Sequence, residues 1–136
     1  MNTDLLVQEL TMDEGKRNKP YVDTVGKVTI GVGRNLTDNG LSNDEIKYLL
    51  MNDINGVLAE LDNALPWFRG MTDNRQRVLA NLTFNMGLPT VLQFKATLAA
   101  MQVGRYDDAA DGMLASRWAN QVGDRAKRLA DRMRAG

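Results

Sequence analysis

The chain contains no cysteine and no histidine. These absences exclude disulfides, metal sites built from Cys or His ligands, and catalytic systems in which a histidine activates a serine or a cysteine. Long hydrophobic runs are also missing, because no apolar segment approaches the roughly 20 residues that span a bilayer. Carboxylate chemistry remains available, since Asp and Glu together number 17. We expect no metal and no cofactor.

The first residues, MNTDLLVQEL, lack a basic start, a long apolar stretch and a cleavage site. They therefore do not have the pattern of a secretory signal peptide. We expect synthesis in the cytoplasm and no stable insertion into a membrane. A length of 136 residues with 43% hydrophobic content predicts one domain with an ordinary core, and we expect a monomer.

The formal net charge is zero, but the charges are unevenly spread. Residues 1–116 contain eleven basic and fifteen acidic side chains, whereas residues 117–136 contain six basic and two acidic ones. A solvated helical face is the commonest meaning of such a basic cluster, and attraction to an anionic polymer or membrane surface comes next. No base-reading or stacking motif is present, so we expect no nucleic-acid partner.

The candidate chemistry lies in residues 13–34, DEGKRNKPYVDTVGKVTIGVGR. If residues 3–14 form a helix, steps of four place Leu6, Leu10 and Glu14 on one face. Glu14 then enters a partly apolar setting. A carboxyl group in such a setting resists ionisation and can act as a general acid.

A β-hairpin is predicted after this helix, because Pro20 suits an extended segment and Gly26 is free to take the positive φ of a turn. In its second strand Thr29 alternates with apolar residues and shares a face with Gly31 and Gly33. This face presents a hydroxyl beside bare backbone, which lets a ligand approach closely.

Two unlike carboxylates and a hydroxyl suit glycoside hydrolysis, in which one acid protonates the leaving oxygen and the other activates water or attacks the sugar. Asp23 on a solvated hairpin is expected to stay ionised, whereas Glu14 is biased toward its neutral form. Spacing alone favours a plainer interpretation. Glu14 would then be a last-turn carboxylate, and Asp23 a turn residue that bonds its own backbone.

The complete string is more specific than the spacing. Eight residues separate Glu14 from Asp23 and five separate Asp23 from Thr29, in the setting DEG…Y-x-D-T-x-G-x-x-T-I-G-x-G. This pattern closely resembles the catalytic segment of phage-type lysozymes, the endolysins of glycoside hydrolase family 24. The similarity continues at residues 75–87 (RQRVLANLTFNMG) and 117–128 (RWANQVGDRAKR), so it covers most of the chain.

The resemblance implies a muramidase that cleaves, with inversion, the β-1,4 bond between N-acetylmuramic acid and N-acetylglucosamine in bacterial peptidoglycan. It implies that Glu14 is the general acid and that Asp23 with Thr29 holds the attacking water. An endolysin made in the host cytoplasm acts on the cell wall only after release, for which a holin is the expected partner.

The resemblance also implies contacts outside the hairpin. Phe84 and Asn85 are placed in the substrate cleft, and Thr97 matches a substrate-contact position. The residues alone equally allow a solvated amide and a threonine hydroxyl bonded to its own helix. Arg125 would pair with Glu14, which would hold that carboxylate in place while opposing the protonation favoured by burial.

Two positions depart from the family pattern. Arg34 stands where the best-known member has a histidine, so any charge pair made by that histidine is absent, and the loop that follows is much shorter. Gly112 stands where that member has an asparagine that touches sugar. Subsite affinities are therefore not carried over from the family.

The chain as a whole predicts a mainly helical α+β fold of the lysozyme-like type. A small hairpin lobe is expected at about 13–41, and a connecting helix at about 42–63, opened by a capping box of Ser42 and Glu45. A helical lobe is expected at about 64–136, together with the N-terminal helix.

Shorter elements are predicted from local signals. Asn35–Gly40 (NLTDNG) is typical of a tight loop, and residues 91–101 have the spacing of one helix that Gly104 stops. A short helix is expected at 106–116, and the last helix is expected to begin with Asp124 as its N-cap.

Two other functional classes remain open. A lytic transglycosylase would cut the same bond with one acid and no water, which leaves Asp23 and Thr29 without a purpose. A wall-binding or membrane-disrupting protein would act through the basic C-terminal helix, although Asp124 and Asp131 interrupt the charge of that helix.

Overall fold

The chain forms nine α-helices and three β-strands in a computed structural model that describes residues 1–136. In chain order they are α1 (Thr3–Glu14), β1 (Arg17–Val22), β2 (Val28–Gly31), β3 (Arg34–Asn35), α2 (Leu36–Asn39), α3 (Asn43–Ala64), α4 (Asp73–Met86), α5 (Leu88–Val91), α6 (Lys95–Gln102), α7 (Tyr106–Leu114), α8 (Arg117–Val122) and α9 (Asp124–Ala135). They divide into two compact units, residues 1–48 and 49–136, and α3 contributes to both. The predicted mainly helical α+β, lysozyme-like fold class is confirmed.

The first unit begins with α1, which has the predicted bounds. The side chain of Asn2 caps this helix by accepting the N–H of Leu5 at 3.0 Å, and Gly15 ends it with φ 78°. No residue of α1 is buried. The predicted helical lobe includes this helix, whereas the structure groups it with the first unit.

The sheet of the first unit is antiparallel, in the order β1-β2-β3. Its first two strands are the predicted hairpin, with Tyr21 opposite Thr29. The third strand was not predicted. It is only two residues long, and it forms because Asn35 pairs with Thr29 and Arg34 pairs with Ile30. Thr29 therefore lies in the middle strand of the sheet.

The prediction of a tight loop at Asn35–Gly40 was wrong. The structure has one helical turn there, α2, because the side chain of Asn35 accepts the N–H of Asp38 at 3.0 Å and caps the turn. The capping box that opens α3 is confirmed. Glu45 Oε1 accepts the N–H of Ser42 at 2.8 Å, and Ser42 Oγ accepts the N–H of Glu45 at 3.2 Å.

The second unit has a continuous apolar core. Helix α7 packs against α6 and α9, and α9 also packs against α4 and α8. The largest fully buried side chains are Leu61, Phe68, Val78, Leu79, Met101, Met113 and Met133. Arg75 of α4 donates to the carbonyl oxygens of Met133 at 2.7 Å and Arg134 at 3.0 Å, which satisfies the last turn of α9 and ties the two helices together.

Two predictions in this unit were wrong, and one helix was not predicted. The single helix expected at 91–101 is two helices, because the chain leaves the helical conformation at Phe94, with ψ 56°. The last helix begins at Asp124, but Gly123 occupies the N-cap and no side chain caps it. Helix α8 was not predicted, although Ser116 caps it by accepting the N–H of Ala119 at 3.2 Å. None of the helices combines the length and the apolar content that crossing a membrane needs.

Candidate active site

The position of Glu14 follows from the register of the sheet. Helix α1 ends at Glu14, and three residues later Arg17 pairs with Gly31 at the end of β2. The turn between β2 and β3 contains Gly33, and the pairing of the strands places this turn next to the end of α1. A Cβ atom built on Gly33 would lie 2.9 Å from Glu14 Oε2, 3.1 Å from its Cδ and 3.3 Å from its Cγ. The carboxylate of Glu14 thus lies against the bare backbone of Gly33.

Glu14 is not in the partly apolar setting that the helical spacing predicts. The side chain is exposed, and on the same helix Val7 is 55% exposed and Leu10 is 44% exposed. Helical periodicity places these residues on one face, but it does not supply the neighbours that would cover the face. The first unit by itself therefore does not desolvate this carboxylate.

Asp23 is half-buried and organises the turn between β1 and β2. Its Oδ1 atom accepts the N–H of Val25 at 2.9 Å and the N–H of Lys27 at 2.8 Å. The plainer interpretation, in which an aspartate stabilises its own turn, predicts these two hydrogen bonds. They involve one carboxylate oxygen, so Oδ2 is available for another role.

Thr29 is 4% exposed, and its hydroxyl donates to the carbonyl oxygen of Lys27 at 3.0 Å. The same carbonyl oxygen accepts the backbone N–H of Asp23 at 2.9 Å. Asp23 and Thr29 are therefore joined through one peptide group. The first unit brings this pair to the start of β2 and brings Glu14 to the turn that follows β2, so β2 connects all three predicted catalytic residues.

Arg34 makes an ion pair in the first unit that the sequence did not predict. Its two terminal nitrogens bind the two carboxylate oxygens of Glu45 at 2.8 and 2.7 Å, and one nitrogen also donates to the carbonyl oxygen of Gly40 at 3.2 Å. Arg34 and Glu45 line a cavity of about 450 Å³ together with Gly33. Arginine at this position thus ties the β2–β3 turn to the start of α3.

The ion pair between Arg34 and Glu45 predicts that the fold becomes less stable in acid. The hydrogen bond from Arg34, followed by those with Ser42, lowers the pKa of Glu45 from 4.5 to about 2. Since the folded-state pKa is depressed, the pair stabilises the fold above pH 4.5, and this contribution is lost as the pH falls from 4.5 towards 2. In thermal unfolding, the difference between wild type and Glu45→Gln should be largest at pH 5 and narrow towards pH 2.

Glu60→Gln is the matched control for that series, because Glu60 lies exposed on the same helix and makes no ion pair. It should keep the wild-type pH dependence. A Glu45→Gln protein whose destabilisation stays constant from pH 5 to pH 2 would refute the pairing.

In the second unit, Phe84 and Arg125 line one apolar cavity of about 550 Å³, and Phe84 is 46% exposed. Arg125 is half-buried and donates from Nε and a terminal nitrogen to Asn81 Oδ1 at 3.1 and 2.7 Å. Asn81, which was not among the predicted site residues, therefore orients this guanidinium. The ion pair between Arg125 and Glu14 stays a prediction.

Asn85 is exposed, but it is not merely solvated. Its Oδ1 accepts the indole N–H of Trp118 at 2.7 Å, while Trp118 itself is 6% exposed. This bond satisfies the polar atom of a buried aromatic ring. It also fixes the amide group of Asn85, so the nitrogen of that amide faces away from Trp118 and remains a donor.

Thr97 is 7% exposed and lies against Gly112 of α7. A Cβ atom at Gly112 would overlap the hydroxyl of Thr97. An asparagine at position 112 therefore does not fit beside this threonine without a rearrangement. The alternative of a hydroxyl bonded to its own helix is not found for Thr97, whereas Thr83 does bond the carbonyl oxygen of Leu79 at 2.8 Å.

Helix α9 is strongly amphipathic, but its apolar side is not free. The buried side chains on it are Ala126, Leu129, Ala130 and Met133. Arg134 pairs with Asp107 and Asp111 of α7, so part of the basic face is neutralised as well. A membrane-disrupting helix needs a free apolar side, and α9 does not have one in this fold.

Comparison with known proteins agrees with the resemblance found in the sequence. A sequence model described as phage lysozyme matches residues 11–135. "Probable T4-type lysozyme 2" of Dictyostelium discoideum is 26% identical over 149 aligned positions, which cover 88% of each chain. "Probable T4-type lysozyme 1" of the same organism is 22% identical, with 93% of this chain and 92% of the relative covered. "Pre-baseplate central spike protein Gp5" of Enterobacteria phage T4 is 28% identical, and the match spans 91% of this chain but 26% of the spike protein.

Proposed function

Because the chain belongs to the phage lysozyme family, we propose that it is a muramidase, which hydrolyses the β-1,4 bond between N-acetylmuramic acid and N-acetylglucosamine. Membership of this family makes it a lysozyme-type glycoside hydrolase of peptidoglycan. The specific bond and the roles of the individual residues are our proposal. Glu14 is the general acid, and Asp23 with Thr29 positions the attacking water.

The proposed reaction needs one group that donates a proton and one group that accepts a proton. Glu14 donates a proton to the glycosidic oxygen as the bond between that oxygen and the anomeric carbon breaks. A water molecule held by Asp23 and Thr29 attacks the anomeric carbon from the opposite face and gives its proton to the Asp23 carboxylate. The sugar leaves with an inverted configuration and a new reducing end.

The observation that carries the proposal is the arrangement around β2. Asp23 and Thr29 meet at the carbonyl oxygen of Lys27, with bonds of 2.9 and 3.0 Å. Because one oxygen of Asp23 holds the turn, its other oxygen has a fixed direction and can orient a water molecule. Glu14 reaches the turn after the same strand without any competing ion pair. An acid and a water-binding pair thus share one small scaffold.

The products of digestion test this proposal directly. We expect purified peptidoglycan to release muropeptides with reducing N-acetylmuramic acid ends, because water is the nucleophile. Mass spectrometry before and after borohydride reduction detects these ends. Anhydro-muramic ends would instead indicate a lytic transglycosylase, and reducing N-acetylglucosamine ends would place the cleavage at the other glycosidic bond.

A further inference from the structure

We propose that Gly33 is a positioning residue for Glu14, and that its missing side chain leaves the space in which the catalytic carboxylate is held. This inference depends on the proposed role of Glu14 as the general acid. It assigns to the second glycine of the G-x-G motif a role towards the enzyme's own acid, in addition to the close approach of a ligand.

The distances support a steric role for Gly33. A Cβ atom there would meet the last three atoms along the Glu14 side chain, at 3.3 Å from Cγ, 3.1 Å from Cδ and 2.9 Å from Oε2. The distances to the two carbon atoms, Cγ and Cδ, are shorter than the optimal carbon–carbon separation of about 3.5–4.0 Å. An added methyl group therefore displaces the carboxylate.

The identity of the displaced atoms determines whether Gly33→Ala lowers the catalytic rate or the stability. They belong to the free end of an exposed side chain, so Glu14 can move aside while α1 and the sheet stay in place. A group that must reach the glycosidic oxygen is sensitive to such a movement, because a misplacement of about 1 Å can cost on the order of 10²-fold in rate. Gly33→Ala should therefore affect the rate much more than the stability.

Backbone strain must be separated from this effect. Gly33 has φ +70°, a conformation that alanine adopts only with strain. Gly104 supplies the matched control, since it has φ +80° and a Cβ atom there would meet nothing closer than 4.0 Å, at Tyr106. Gly104→Ala introduces the same kind of strain without touching Glu14.

The experiment compares steady-state hydrolysis of soluble peptidoglycan fragments and thermal unfolding for the full chain and its variants. We expect Gly33→Ala and Gly104→Ala to lower the melting temperature by similar amounts. We expect kcat to fall on the order of 10²-fold in Gly33→Ala alone, with KM little changed.

Two results would overturn the inference. One is equal activity of Gly33→Ala and Gly104→Ala. The other is an unfolded Gly33→Ala protein beside a folded Gly104→Ala protein, because the displaced carboxylate is free to move and should not unfold the chain. Failure of the proposed function has a different signature. In that case Glu14→Gln retains hydrolysis, whatever the behaviour of the Gly33 variants.

Discussion

Glu14→Gln should lower the rate of peptidoglycan hydrolysis by about 10²- to 10⁴-fold, the usual contribution of a general acid. Glutamine has nearly the shape of glutamate, so it fits against Gly33, but its amide does not protonate the leaving oxygen. Because the side chain is exposed and makes no ion pair, thermal stability should be nearly unchanged. Turbidity loss of purified wall material and the unfolding midpoint give the two measurements.

Glu9→Gln is the control for this substitution, because Glu9 is an exposed carboxylate on the same helix. It should retain wild-type activity. A Glu14→Gln protein that still lyses purified peptidoglycan would refute the general-acid assignment. Leakage of lipid vesicles caused equally by wild type and Glu14→Gln, with no lysis of purified wall material by either protein, would favour the non-enzymatic alternative instead.

Elements with strong local signals were predicted correctly. The bounds of α1, the hairpin around Gly26 and the capping box of Ser42 and Glu45 depend on residues within a few positions of one another. A cap or a turn glycine acts over that range, so the pattern is visible in the sequence. The placement of Glu14 at the end of α1 and of Asp23 and Thr29 in the hairpin was predictable for the same reason, whereas their catalytic roles stay a prediction.

Features that depend on contacts between elements, without a local signal of their own, were not predicted. Strand β3 is two residues long and exists because β2 lies beside it. The ion pair between Arg34 and Glu45 crosses eleven positions, and the capping-box pattern had already given Glu45 a different role. The exposure of Glu14 is a further case, because periodicity identifies the face of a helix but not what covers it.

The second large effect is expected at Asp23, where a turn role and a catalytic role have to be separated. Asparagine keeps an oxygen that can accept the N–H groups of Val25 and Lys27, but it replaces the other oxygen by a donor. Asp23→Asn should therefore fold normally and lose about 10²- to 10⁴-fold in hydrolysis rate, because nothing accepts the proton of the attacking water. Asp23→Ala should lose the same activity and also stability, since two backbone donors lose their partner, at about 1 kcal/mol for each bond.

The comparison of these two variants decides between the interpretations of this aspartate. If Asp23 only stabilises the turn, Asp23→Asn keeps nearly wild-type activity and Asp23→Ala loses activity in proportion to its unfolding. If Asp23 holds the water, both are inactive under conditions in which Asp23→Asn is fully folded. Asp53→Asn, at an exposed carboxylate of α3, controls for the loss of one negative charge. Rates on purified peptidoglycan, measured well below the unfolding midpoint of each variant, make the distinction.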